Sequence, residues 1–340
     1  MIILYAIVFI IFPAAVLYNI RFFKKGQFND GIISLDESSI LKGVAAWFIM
    51  ISHYVTNIGI LGYDTGIAKV YEWFGGIGVC MFFFLSGYGL YMSAKRTSPT
   101  FRQLIKRELN VLIPMAVIQL IFWLSFYGSG KSFLDCILYI TALDGSLWFL
   151  SEIMLIYIIF YLGMRFFKKH DILAVALMCL IMSAVFFILD FPARWYNANL
   201  VFALGMLFAK RRDSIIAFFK KRYVLKLILS FALFAVLSIC YSLLNEFKVS
   251  HVLKLLSGCA LNIALFSLML KVRLRSKIMD FFGNMSLQMF VVHVNVWGIV
   301  YHFMGSDLLV AFIVSLAASA VLTIAVYYAE QGIRKLLKVK

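Results

Sequence analysis

Charge is scarce in this sequence. Only 14% of its 340 residues are Asp, Glu, Lys or Arg, while 64% are hydrophobic. A soluble domain is about half apolar and about a quarter charged, so that class is excluded. Proline is scarcer still, at four residues, and no apolar run holds a helix-ending cluster of them. The ten-residue apolar-polar alternation of a membrane barrel is missing, which leaves helices. The five cysteines (Cys80, Cys136, Cys179, Cys240 and Cys259) are scattered, mostly within apolar runs. Lacking Cys-x-x-Cys or Cys/His spacing, they predict packing roles and no metal. The glycines Gly75, Gly76 and Gly78 are not followed by Lys-Ser/Thr, so they do not form a phosphate-binding loop. No stretch between apolar runs is long enough for a soluble domain; the longest, about 21–41, reads as a linker.

What fills the chain is apolar sequence. Eleven runs recur, at about 2–20, 42–61, 73–93, 107–127, 147–167, 171–190, 195–210, 223–244, 250–270, 280–303 and 307–329. The pattern predicts an all-α, polytopic integral membrane bundle of about ten or eleven transmembrane helices. Two units are expected, an anchor helix with its linker over 1–35 and a transmembrane domain over 36–335. The net charge of +16 would suit nucleic acid, but its distribution argues against that partner. Of 32 basic residues, 27 fall in alternate loops, and the other side holds only Lys69, Lys131, Arg194, Lys248 and Lys254. This is the positive-inside pattern, and it predicts an outer amino terminus and a cytoplasmic carboxyl terminus. The basic excess then serves orientation and contact with the anionic face of the bilayer. The first run has no basic stretch before it and is expected to be a retained anchor.

Two ionisable side chains stand out within the apolar sequence. Lys42 and His53 are eleven residues apart, so on a helix they share a face, separated by about 16 Å at 1.5 Å per residue. That is about half of a ~30 Å hydrocarbon core. His53 therefore hangs near mid-membrane, where an ionisable group marks function by default. The bland reading of His53 is interhelical glue, and that of Lys42 a snorkelling flank. Ser286 and His293 are seven residues apart on another helix, and His293 lies at a depth like that of His53, which suggests one shared polar cavity. Glu152, after Trp148-Phe149-Leu150-Ser151, is a membrane carboxylate in need of a partner. Gly75, Gly76, Gly78, Ser86 and Gly87 suit close helix packing. Arg194, one of five outward cations, could meet an anionic or sugar acceptor or be an ordinary loop charge.

Taken together, Lys42-x10-His53, the Phe82–Tyr88 segment ending Leu-Ser-Gly-Tyr, Trp148-Phe149-Leu150, and Gly283-x-x-Ser286-x6-His293 resemble the membrane-bound acyltransferase family 3 over roughly residues 36–335. The chain departs from the family where lysine replaces the usual arginine at Lys42, and where Glu330-Gln331-Gly332 lacks the proline of Glu-x-Pro. The second departure reads as a change in a helix exit. The resemblance implies acyl transfer, by default of acetyl, from cytosolic acyl-CoA to a hydroxyl of a cell-surface polysaccharide or lipid-linked glycan at the plasma membrane. It implies His53 as base or proton shuttle and Lys42 as the attractor of coenzyme A phosphates. His293 would polarise the thioester or orient the acceptor. Glu152 is a further catalytic candidate, and Ser86 is a donor contact or transient acyl carrier. No appended extracellular hydrolase-like domain is expected, and a second transfer step would then need separate glycan-assembly proteins. The competing expectations are a multi-span carrier or flippase, which central histidines also suit, and an inactive structural partner in a glycan-assembly complex; against the carrier stands the lack of an inverted repeat or of paired broken helices.

Overall fold

The computed structural model describes residues 5–29, 31–60, 66–244, 249–304 and 307–336. Almost all of them are helical. A π-turn at Ile7–Ile11 runs into α1 (Phe12–Leu17), followed by α2 (Leu35–Ile60), α3 (Glu72–Arg96), α4 (Phe101–Phe122), α5 (Phe133–Ile140), α6 (Trp148–Phe166) and α7 (Asp171–Ile188). Then come α8 (Leu200–Lys210), α9 (Arg212–Lys220), α10 (Tyr223–Leu243), α11 (Val249–Met269), α12 (Lys277–Asn284), α13 (Ser286–Met304) and α14 (Leu308–Leu336). Among the described residues, nine helices are long and apolar enough to cross a membrane, and the fold is the expected all-α bundle.

Two of the eleven expected spans are short. The first is an apolar stretch of Ile7–Leu17. Pro13 cannot donate to the preceding turn, and the bonding there loosens into a π-turn closed by the Phe12 N–H to the Ile7 carbonyl. The other is α8, eleven residues long. The expected linker at 21–41 is shorter than its sequence suggested, because α2 already begins at Leu35. Its remainder is tied down. β1 (Arg21–Phe22) pairs antiparallel with β2 (Val272–Arg273), and Asn29 Nδ2 donates to Glu37 Oε1 (2.7 Å) and to the Met269 carbonyl (3.1 Å). One short amphipathic helix, α5, arose where a loop was expected. Its capping box is formed by Ser132 and Asp135, a signal present in the sequence.

Glycine sets the helix spacing. A Cβ on Gly78 would lie 2.6 Å from the Ala45 carbonyl oxygen, closing α3 on α2. On another face of α3, a Cβ on Gly87 would lie 2.0 Å from the Phe202 oxygen, and one on Gly205 would lie 2.1 Å from the Phe84 oxygen, closing α3 on α8. Small residues at helix crossings do this in membranes, where packing replaces the hydrophobic drive. Gly205→Val is expected to destabilise the fold by about 3 kcal/mol, because the obstructing atom is backbone. Size-exclusion of detergent-solubilised protein would read this as loss of the monodisperse peak. Gly89→Ala, where an added Cβ meets nothing within 4 Å, is expected to keep it. At the periphery, α10 buries only Ser230, so its apolar surface belongs to lipid.

Candidate active site

The bundle has two ends of different charge. One carries the Lys/Arg-rich loops, where Lys210 pairs with buried Asp171 (2.5 Å) and Arg273 with Glu37 (3.5 Å). The other end is poor in cations. α2 and α13 connect the two.

Their approach begins at the basic end. A Cβ on Gly43 would lie 2.0 Å from the Met279 carbonyl oxygen, and one on Gly283 would lie 1.8 Å from the Ser39 oxygen. This contact holds α12 on α2 and carries α13 up beside it. Halfway along, His53 and His293 meet, with His53 Nδ1 2.9 Å from His293 Nε2 and the rings stacked at 5.1 Å. The two histidines expected in one polar cavity are in direct contact, and of the two only His53 lines a cavity. Aromatic packing fixes the pair. Phe290 stands against His293 (5.6 Å) and against Phe149 (5.2 Å), which in turn meets Phe83. The Phe-rich segment of α3 and the Trp148–Leu150 segment of α6 therefore form the wall behind His293. On another side Tyr54 stacks on Trp297 (5.1 Å), its hydroxyl 2.6 Å from Ser319 Oγ.

Hydrogen-bond chemistry assigns the protons of the pair. His293 Nδ1 lies 2.9 Å from the Met289 carbonyl, which can only accept, so that nitrogen bears hydrogen. In a neutral His293 the Nε2 is then a lone pair, and His53 Nδ1 donates to it. His53 Nε2 is left as a lone pair with no hydrogen-bond partner among the described residues. His293 is 1% exposed, whereas His53 is half-buried and lines a cavity. One imidazole thus holds the tautomer of the other.

That cavity, of about 450 Å³, opens toward the cation-poor end and is lined by His53, Ser52 and Thr56 of α2, Glu72 and Trp73 of α3, Trp148, Arg194, Asn197, and Tyr241 and Lys254 of α10 and α11. A second cavity, of about 770 Å³, lies at the basic end. It is lined by Lys42, Asn110, Ser286, Gln288, Glu330, Arg334 and Lys335 among others. The two have no lining residue in common. Along α2 they are separated by the stretch from Lys42 to Ile49, about 10 Å of helix.

The structure brings some of the expected residues together and not others. Lys42 is in the basic cavity, half-buried, and takes part in no hydrogen bond or ion pair among the described residues. Glu330 is beside it, held by Gln288 Nε2 (2.7 Å) and by Arg334, whose NH2 nitrogen is 2.7 Å from Glu330 Oε1. The helix exit is changed as expected: without proline the helix continues to Leu336, which brings Arg334 into the cavity. The i, i+4 spacing of Glu330 and Arg334 was a legible signal; the pairing of Glu330 with Gln288 was not. Glu152 is 0% exposed, and its carboxylate oxygens have no hydrogen-bond partner among the described residues. It lines neither cavity. Ser86 also lines neither. Asn197, unmarked in the sequence, is 5% exposed, and its Oδ1 has no partner among the described residues. At the cation-poor end the Tyr139 hydroxyl of α5 donates to Asn295 Oδ1, and Asn295 Nδ2 donates to Gln119 Oε1 (2.7 Å), which ties α5, α4 and α13 together. Burial raises the Tyr139 phenol above its ordinary range, so it remains a donor.

Comparison with known proteins supplies a family. Residues 32–329 match the family model described as an acyltransferase domain, that of acyltransferase family 3. No curated protein and no solved structure matches the chain.

Proposed function

The chain belongs to acyltransferase family 3, and from that premise we propose that it moves an acyl group, acetyl by default, from acyl-CoA to a hydroxyl of a cell-surface polysaccharide or lipid-linked glycan. It is a multi-pass membrane acyltransferase. The proposed setting is the plasma membrane, with the basic end cytoplasmic, the amino terminus outside and the carboxyl terminus inside.

The His53–His293 pair carries this reading. A hydroxyl is a weak nucleophile until a base takes its proton. His53 Nε2 is the lone pair available for that, and its Nδ1–H is anchored on His293. As the acceptor oxygen bonds to the thioester carbonyl carbon, its proton passes to His53 Nε2. The carbon–sulfur bond then breaks, and the same proton passes to the departing thiolate, which leaves as the free thiol of coenzyme A. Atoms and charge balance without a further reactant.

The donor is proposed to enter the basic cavity, where Lys42, Arg334 and Lys335 outnumber the single carboxylate of Glu330. Phosphates suit such a site, and lysine serves them as a point charge. Because the cavities share no lining residue, the pantetheine arm must part the packing between α2 and α13 above Lys42 to reach His53. Ser86 lines neither cavity and is given no part in this route.

The test is mass spectrometry of surface glycans from cells with and without this protein. One acyl mass more on the acceptor is expected when the protein is present, and it names group and acceptor together. Identical glycan masses, with the protein demonstrably in the membrane, would overturn the reading.

A further inference from the structure

The cation-poor end keeps few basic residues. Membrane insertion selects against them there, and only Lys69, Lys131, Arg194, Lys248 and Lys254 of the 32 remain. Two of these five, Arg194 and Lys254, line the cavity that holds His53. Arg194 is presented by the short helix Ala193–Trp195, and no carboxylate pairs with it among the described residues. Lys254 stands on α11 with its ammonium over the Tyr241 ring (5.3 Å), also without a carboxylate among the described residues. Glu72 is the one acidic residue lining the same cavity, so the walls carry two positive charges against one negative.

Two further features suggest what those cations hold. Asn197 lines this cavity, and its buried Oδ1 lacks a partner among the described residues. An orphaned buried carbonyl oxygen of this kind is costly, and a hydroxyl donor from a ligand would relieve that cost. Trp73, Trp148 and Tyr241 give the cavity aromatic faces, which pack against the apolar faces of a sugar ring while their polar edges stay wet.

We infer that this cavity takes a sugar acceptor bearing an anionic group, a carboxylate or a phosphate, held by Arg194 and Lys254 while Asn197 Oδ1 accepts one of its hydroxyls and another hydroxyl faces His53. The inference names the acceptor class of the acyl-transfer reading above and rests on it for the reaction, though not for binding. Charge-assisted bonds to Arg and Lys are roughly twice as strong as neutral ones, and in a partly enclosed site they decide between partners.

The test separates binding from transfer. Purified protein in nanodiscs is titrated with glucuronate, glucose 1-phosphate and glucose, and the fluorescence of Trp73 and Trp148 reports occupancy. At least one charged sugar is expected to bind about tenfold more tightly than glucose, and which of the two does so distinguishes carboxylate from phosphate. The preference is expected to shrink as salt is raised, to vanish in Arg194→Gln/Lys254→Gln, and to persist in Arg194→Lys. Equal affinity for all three sugars would overturn the inference, as would a preference that survives the double substitution in monodisperse protein. The wild-type comparison decides even where the double variant fails to fold. Labelled acetyl-CoA is then added. Selective binding without transfer sinks the acyl-transfer reading and leaves this inference standing, whereas equal binding of all three with transfer does the reverse.

Discussion

His53→Ala is expected to lower acyl transfer by about 10²–10⁴-fold, the range that a positioned general base contributes. The loss should lie in kcat, because in the proposed reaction His53 takes the acceptor proton only as the new bond forms. It is not expected to come from unfolding. His53 is half-buried at the wall of a cavity, so truncation enlarges an existing space rather than opening a void in the core. The measurement is transfer from labelled acetyl-CoA by purified variant and wild type at matched monodisperse concentration. A variant that transfers at the wild-type rate removes His53 from the chemistry.

His293→Phe is expected to cost nearly as much, about 10–10³-fold in kcat, with little change in KM for either substrate. A phenyl ring keeps the packing on Phe290 and Tyr54, whose rings lie 5.6 and 6.3 Å from His293. It removes the lone pair that accepts the His53 Nδ1 proton. His53 is then free to adopt either tautomer, and in one of them Nε2 bears hydrogen and is no base. His293→Gln restores an accepting oxygen near the same place and is expected to recover at least about tenfold over Phe. A merely structural histidine would show the opposite order, since the phenyl ring preserves packing better than the amide. Such a rescue would identify His293 as a positioning residue acting through His53.

Parts of this arrangement were legible in the sequence for physical reasons. Apolar runs near twenty residues long admit few readings in a bilayer, and the phase of Lys42 and His53 follows from helix geometry alone. Depth was legible too, since it placed His293 level with His53. Contact between them was not. It depends on the approach of α12 to α2 at Gly43 and Gly283, residues 240 apart in the chain, and a glycine in sequence does not say which backbone it meets. Lys42 and His53 share a helix face as expected, but they line two separate cavities. Glu152 shows the converse limit. Its cost at depth is readable from sequence, yet its surroundings in the bundle supply neither a partner nor a cavity. Asn197, at a loop-helix junction, carries no sequence signal, and only burial makes its unpaired oxygen stand out.

Sidedness of transfer tests most directly whether donor and acceptor approach the histidine pair from opposite ends. Protein reconstituted in one orientation is given labelled acetyl-CoA only on the Lys42 side and acceptor sugar only on the Arg194 side. Labelled ester is expected on the Arg194 side with wild type and not with His53→Ala. Ester formed only when donor and acceptor share one side would contradict transfer across the pair.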